Sequence, residues 1–494
     1  MNIRRLVMGI TFLAVFAMAA RVSIDSDTWW HLRAGQWIVE NRAVPQADPF
    51  SYTRLGAKWQ YPGWLVEAPM YGLYRAFGAG ALNIWTALMV TLAFVFLWRT
   101  LSGGYFLKAF VTILAAVVSG VYWAARPYLV TFLLAAIFLW ILEDYRWKAE
   151  AQPKVARRLW WLPVLMVVWA NSHGGFVSGF ILWGIYWFSE LAGWIFKFIK
   201  SQIKPVQQSP SEHKTRLMRL SIVGVLMVVA VCLNPSGPVM LAYPFKTISI
   251  GALGAYIQEW QSPDFHQRSA QPFIWLLLLT LGGLGISRKR LALSDFLLAG
   301  GFAYLSLLAW RNVALFALAA PPVLTRHVAP ILDAMVRKLG FRAAPEKPRK
   351  VQSVLNWILL GLVTLAALVK AATALPAETN LKEIRMTMPV EAVNFIRKTN
   401  PPGRVFNSYN WGGYLLWELP EYPVFIDGRT DLYDDELINQ WLQVLRAEPG
   451  WQGVLERWQV RLILLENGAP VVGQLGQNGW NLLYQDELAV VYGR

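Results

Sequence analysis

The chain is 494 residues long, 56% hydrophobic and only 15% charged, too apolar and too poor in charge for an ordinary soluble domain; this is the composition of an integral membrane protein. Its formal charge of +16 does not point to nucleic acid, because the Lys and Arg residues lie in short clusters between apolar runs rather than along one face. The single cysteine, Cys232, sits inside an apolar run and excludes an internal disulfide or a cysteine metal cluster, while the 26 Trp suit the boundary where lipid tails meet headgroups.

About twenty apolar residues cross the hydrocarbon, and the sequence predicts an α-helical polytopic protein of about eleven such spans. They fall near 6–22, 81–99, 106–124, 128–144, 158–171, 176–197, 218–233, 271–287, 292–309, 312–325 and 353–372. The first, behind Arg4 and Arg5, also resembles a cleavable signal peptide. A retained helix is expected, since a polytopic chain needs no separate export signal. Basic clusters at Arg4/Arg5, Arg99, Arg146 to Arg158, Lys197 to Arg219, Arg288 to Arg290 and Arg326 to Lys350 then all fall on one side. The positive-inside rule makes that side, and the N-terminus, cytoplasmic. Residues 1–372 form the membrane domain, and the first loop (23–79), a loop at 234–270 and the segment 373–494 lie outside the cytoplasm.

The first loop opens with "DSDTWWHLRAGQWIVEN", in which Asp25 and Asp27 stand at the mouth of the first span. The segment reads as a helix along the membrane surface, with Trp29, Trp30 and Trp37 toward lipid; Asp25 and Asp27 suit its positive N-terminal end, so a plain helix start is one reading of them. "WLVEAPMYGLYRAFG" closes the loop as a second interfacial helix. Arg126, at the turn between the third and fourth spans, and Arg311, at the end of the ninth, are arginines at the hydrocarbon edge, where a functional partner is the default and snorkelling to headgroups the alternative. In "WANSHGGFVSGF" the polar Asn171, Ser172 and His173 with Gly174 and Gly175 interrupt an apolar stretch, as backbone does when it lines a cavity or when helices pack closely. Glu259, Trp260, Asp264 and His266 sit in the 234–270 loop, as the rim of a groove or as a solvated cap.

After about residue 373 the chain becomes more charged and alternates helix-like and strand-like stretches, a small α/β domain. "PVEAVNFIRKT" and "DDELINQWLQVLRA" read as helices; "RVFNS", "YPVFID", "VRLILLEN" and "LAVVYG" read as strands. In "FIDGRTDLY", Asp427-Gly428 is first a turn signal.

The outer loop opening with Asp and aromatics, its second amphipathic helix and "WTALMVTLAFVFLWR" resemble the front half of the GT-C glycosyltransferases. "WANSHGGFVSGF", "LNPSGPVMLAYPF", "IQEWQSPDF", "AWRNVALFALAAPP" and "FNSYNWGGYLLWELPEYPVFIDGRTDLY" resemble a widespread group of bacterial membrane proteins assigned to that superfamily, which also holds the dolichyl-phosphate-mannose-protein mannosyltransferases. The resemblance implies a GT-C-like fold in the bacterial cytoplasmic membrane and an inverting transfer of sugar from a polyprenyl-phosphate donor to an extracytoplasmic lipid, glycan or protein acceptor. It also implies a first-loop aspartate, Asp27 with Asp25 as alternate, as general base. Arg126 and Arg311 would meet the departing phosphate, with His31, His173 and Asn171 as further substrate contacts. No cofactor is certain; a divalent cation, Mg or Mn, held by Asp25 and Asp27 is the one candidate. A non-catalytic scaffold or assembly subunit of the same fold is the alternative, and a transporter a weaker one, since no inverted repeat or matched pair of broken helices is evident.

This topology places alkaline phosphatase fused after Arg494 in an oxidising, active location and the same enzyme fused after Lys289 in an inactive one. Equal activity of the two fusions would overturn it.

Overall fold

The computed structural model describes residues 1–203, 211–339 and 349–494; Lys204, Arg342 and Lys347 of the basic clusters lie outside them. Helix α1 (Ile3–Ala19) is capped by Asn2. In the first loop follow α2 (Ser26–Asn41) and α3 (Trp64–Phe77), then α4 (Ala79–Thr100), α5 (Tyr105–Ser119) and α6 (Tyr128–Lys148). Among the described residues, seven helices are long and apolar enough to cross a membrane, and each coincides with an expected span. The other four expected spans are shorter or more polar. They are α1 with 17 residues, Trp161–Ala170 with 10, Leu293–Leu308 with 16, and Ser211–Val231, whose first half is charged. The expected 312–325 span is instead part of a long helix, Val313–Lys338.

Burial grades the bundle. In α6 and in the 310–338 helix 78% of the apolar window is buried, against 17% in Lys350–Thr373, so the first two form the centre and the last coats the outside. Near the C-terminal end of α6, Glu143 pairs with Arg326, which also holds Asp295, and Glu190 holds Arg146 and His213. The buried charges Glu143, Asp295, Arg326, Arg146 and Glu190 thus meet partners of opposite sign at this end of the bundle, as low-dielectric surroundings require. Arg126 stands at the other end of α6, just before Pro127, the residue that starts the helix.

Segment 390–493 carries a four-stranded mixed sheet of β1 (Arg404–Asn407), β2 (Val460–Glu466), β3 (Asn481–Gln485) and β4 (Ala489–Gly493) in the order β1-β2-β4-β3. β1 and β2 are parallel, in register at Phe406 and Ile463; the other two pairings are antiparallel. Alternation along β2 decides what each face covers. Leu462 and Leu464 join Val405 and Val491 in a core shared with Trp29, Trp59 and Tyr61 of the first loop. Ile463 and Leu465 face Leu437, Ile438 and Trp451 on the opposite side. Trp29 is therefore not at the lipid surface: its ring stands edge-on to Tyr414 at 5.1 Å, because this segment offers it a protein core.

Two local expectations need correction. "YPVFID" adds no strand to the sheet: Asn407 reaches across with its side chain, donating to Ile426 O and accepting from Phe425 N, and Val424 bridges instead to Ser51 of the first loop. β3 and the Tyr409–Glu418 helix were not anticipated; the Gly412-Gly413 pair hid the helix, and Asn481 and Gln485 diluted the strand signal.

The loop after Ile426 is fixed by a wholly buried charge cluster. Arg429 donates from Nε to Asp427 Oδ1 at 2.8 Å, from Nη2 to Asp427 Oδ2 at 2.6 Å and from Nη1 to Asp48 Oδ1 at 2.5 Å. Tyr433 donates to Asp427 Oδ2 at 2.7 Å, and the guanidinium lies 5.1 Å from the Phe50 ring centre and 4.9 Å from that of Trp59. The first loop and the C-terminal segment are thus joined through one cation. Arg429→Met leaves two carboxylates buried and uncompensated, an expected loss of roughly 3–5 kcal/mol. Scanning calorimetry checks it; a melting temperature within about two degrees of wild type would remove the clamp from the account of stability.

Candidate functional site

Asp25 is the N-cap of α2. Its Oδ1 accepts from the backbone N–H of Asp27 at 3.2 Å and of Thr28 at 3.1 Å, while the Thr28 hydroxyl returns a contact to the Asp25 N–H at 3.1 Å. The helix-start reading of this carboxylate is therefore correct, but incomplete. Its Oδ2 accepts from Arg126 Nε at 2.5 Å. Asp27, on the first turn, pairs through Oδ2 with Arg126 Nη1 at 2.8 Å, and Glu259 reaches the same nitrogen at 3.0 Å. Three carboxylates from two parts of the chain, the start of α2 and the Gln258–Trp260 turn, converge on one guanidinium.

The cluster is walled but not sealed, with 25% of the Asp27 side chain and 22% of that of Arg126 still exposed. Burial raises the Asp27 carboxyl; Arg126 opposes the rise, and the nearby Asp25 and Glu259 charges add to it, leaving the group at about 7. Asp27 therefore takes up and gives back a proton near neutrality. Its Oδ1 faces Gly428 and the Trp30 indole.

A second arginine stands alongside. Trp260 follows Glu259, and the Arg311 guanidinium lies 4.3 Å from its ring centre, so one short turn (Gln258–Trp260) bridges both arginines. Among the described residues Arg311 has no carboxylate partner, which leaves it the cation of the pair able to meet an incoming anion. The Tyr128 hydroxyl donates to Arg311 O at 3.2 Å, and the Tyr128 ring stands edge-on to His173 at 5.7 Å. His173 Nδ1 accepts from Gly175 N at 2.9 Å and lies 2.9 Å from Thr131 Oγ1, the arrangement of a histidine satisfied by its neighbours. Asn171 is likewise engaged, accepting from Trp64 Nε1 at 2.8 Å and from Asn234 Nδ2 at 3.2 Å.

His31 directs its Nδ1 toward α3 while its ring lies 3.5 Å from that of Trp30. Its Nδ1 is hydrogen-bonded to Glu67, whose side chain is fully buried with Oε2 unpartnered. Burial pushes Glu67 well above the usual carboxylate range and His31 well below the usual imidazole range, the latter helped by the nearby Arg126 and His173 charges. Gly35 makes this possible, because a β-carbon there would run into the Glu67 carbonyl. Asp264 and His266 form an exposed turn, Asp264 Oδ1 accepting from His266 N at 3.0 Å.

Sequence reasoning thus named Asp25, Asp27, Arg126 and Arg311, and the structure gathers the first three. It passed over the partnership of Glu67 with His31 and that of Glu259 with Arg126, which no spacing encodes across 36 and 133 positions. An apolar cavity of about 750 Å³ lies elsewhere, between α1, α5 and the Gln271–Ile286 helix, and includes none of these residues.

No protein-family model and no curated protein matches the chain. Solved structures do resemble it. The archaeal oligosaccharyltransferase AglB from Archaeoglobus fulgidus, in complex with an inhibitory peptide and a dolichol-phosphate, superposes with a TM-score of 0.56 at 12% identity, covering 93% of this chain and 69% of that one. The Archaeoglobus fulgidus oligosaccharyltransferase tethered to an acceptor peptide containing the NVT sequon gives a TM-score of 0.54 at 13% identity, over 94% and 69%. ArnT from Cupriavidus metallidurans bound to undecaprenyl phosphate gives 0.49 at 14% identity, over 97% and 96%. At such identities the likeness to the oligosaccharyltransferase is one of fold: the chain is a largely helical, multi-pass membrane protein that shares that architecture.

Proposed function

We propose that this protein is a membrane glycosyltransferase that moves a sugar from a polyprenyl-phosphate donor to a hydroxyl or amide acceptor on the outer side of the bacterial cytoplasmic membrane, with Asp27 as general base. The observation that carries the reading is the arrangement of Asp27 on Arg126, with Arg311 nearby and, among the described residues, paired with no carboxylate. The donor class comes from the sequence resemblance and from the dolichol-phosphate in the AglB structure.

The geometry favours Asp27 over Asp25 as the base. Asp25 spends one oxygen on the α2 cap and the other on Arg126, whereas Asp27 gives Arg126 only Oδ2. An acceptor hydroxyl is a weak nucleophile until a carboxylate takes its proton as attack proceeds. The acceptor oxygen then bonds to the anomeric carbon, the bond from that carbon to phosphate oxygen breaks, and the polyprenyl phosphate leaves with the electron pair. Arg311, stacked on Trp260, supplies positive charge for that leaving group. Arg126 has the different task of holding Asp25, Asp27 and Glu259 together. His31, His173 and Asn171 act in this reading through the walls they hold.

A divalent ion shared by Asp25 and Asp27 does not fit this arrangement. The Arg126 guanidinium occupies the point on which the two carboxylates converge, and among the described residues no group of three or more His, Cys, Asp or Glu is placed to hold a metal. No step is therefore routed through an ion. The self-compensation of the cluster also favours a second reading, a scaffold of the same fold in which Arg126 only ties loops together.

Purified protein with labelled polyprenyl-phosphate sugars and candidate acceptors separates the two. Because the raised Asp27 group is a base only when ionised, kcat/KM should climb with pH and level off above about 7. Asp27→Asn should lower transfer by about 10²- to 10⁴-fold, Asp25→Asn by less, and Arg311→Gln should weaken donor use without moving the acid limb. Wild-type rates retained by Asp27→Asn would eliminate the base; donor binding without any transfer would favour the scaffold.

A further inference from the structure

The geometry points to Gly428, in the C-terminal segment, as the positioning residue for Asp27: the space left by its absent side chain is the seat of the Asp27 carboxylate. A β-carbon on Gly428 would overlap Asp27 Oδ1 and stand 3.0 Å from Asp27 Cγ and from Trp30 Nε1. Gly428 is not among the residues with positive φ, so what it supplies is room, not a rare backbone conformation. Oδ2 is meanwhile fixed by Arg126 at 2.8 Å. One oxygen is held by charge and the other by shape.

A seat positions nothing unless it is itself immobile, and two sets of contacts hold it. Behind Gly428, Arg429 bonds Asp427 and Asp48 with every side chain of the trio at 0% exposure. Beside it, the Tyr409–Glu418 helix lies close against both partners: a β-carbon on Gly412 would strike Ile426 O and Asp427 Cα, and one on Gly413 would stand 2.7 Å from Ser26 O, the residue before Asp27. The N-terminal turn of α2, that helix and the 426–429 backbone are thus in contact at van der Waals distance. The C-terminal segment is a wall of the Asp27 site, and the two glycines of "NWGG" and the glycine of "DGR" are the positions at which a side chain would separate the walls.

This inference rests on the assignment of Asp27 as the base, so its test has one arm that needs no activity. In a Cys232→Ser background, Asp27→Cys with Gly428→Cys should form a disulfide within minutes under mild oxidation in detergent, because the β-carbons fall within bonding reach. Failure to cross-link overturns the seat, whatever the enzyme does. In the kinetic arm Gly428→Ala should lower kcat at least about tenfold, since a misplacement of about 1 Å at a reacting group suffices for that, while donor KM stays within about twofold. Gly468→Ala, where an added β-carbon meets nothing within 4 Å, should leave kcat unchanged. A folded Gly428→Ala protein with wild-type kcat refutes the proposal, as does a loss shared equally by kcat and donor KM. If the wild type transfers no sugar at all, the glycosyltransferase reading falls, and the cross-link alone decides whether Gly428 seats Asp27.

Discussion

One guanidinium organises the candidate site. Arg126 stands where the chain turns into α6, one of the two most buried of the long helices, and from that fixed point meets Asp25, Asp27 and Glu259. Without it, three carboxylates would crowd a partly desolvated space, a repulsion that would drive protons onto them or the loops apart. With it, Asp25 is free to cap α2 and Asp27 keeps one oxygen uncommitted to charge. The α2 helix is thereby aimed by the same residue that sets the electrostatics at its tip.

Arg126 and Arg429 invite comparison, since both hold more than one carboxylate and their surroundings differ. Arg429 is completely enclosed, with each of its three nitrogens donating to a carboxylate and aromatic rings close by; the arrangement leaves no surface for a ligand and behaves as a structural joint. Arg126 and its partners retain from 22% to 37% of their side-chain surface. A buried ion pair is weak support for stability but a firm constraint on geometry. The sealed cluster fixes where the C-terminal segment sits on the first loop, and the open one lies where that placement has its effect.

How much of this was legible in the sequence depended on the range of the signal. Hydrophobic run length located the seven longest apolar helices, and the residues flanking α2 announced its start, because both signals are local. Asp27 and Arg126 stood out as charges at the edge of apolar runs, a feature each carries alone. What could not be read were the pairings. The resemblance implies His31 as a substrate contact, yet its Nδ1 bonds Glu67, a polar residue in an interfacial helix. Trp29 reads as a lipid anchor because its helix lies along the membrane surface, but a protein core from the C-terminal segment covers it. Local pattern says that an amphipathic face must be covered; only the fold says by what.

The glycines make the same point in reverse. Gly428 in "DGR" reads as a turn, and the turn is real, but its φ does not need glycine. The requirement is imposed from outside, by Asp27, a residue some four hundred positions earlier that arrives against it. Arg429, its neighbour, is the residue that prevents the backbone from yielding. A short sequence with an acid, a glycine and an arginine thus performs three separate jobs: Asp427 receives the clamp, Arg429 closes it, and Gly428 leaves the space that the clamp keeps open. Substituting any one by its chemical neighbour alters a different step of that sequence, so the motif acts as a unit although only its central member touches the Asp27 carboxylate.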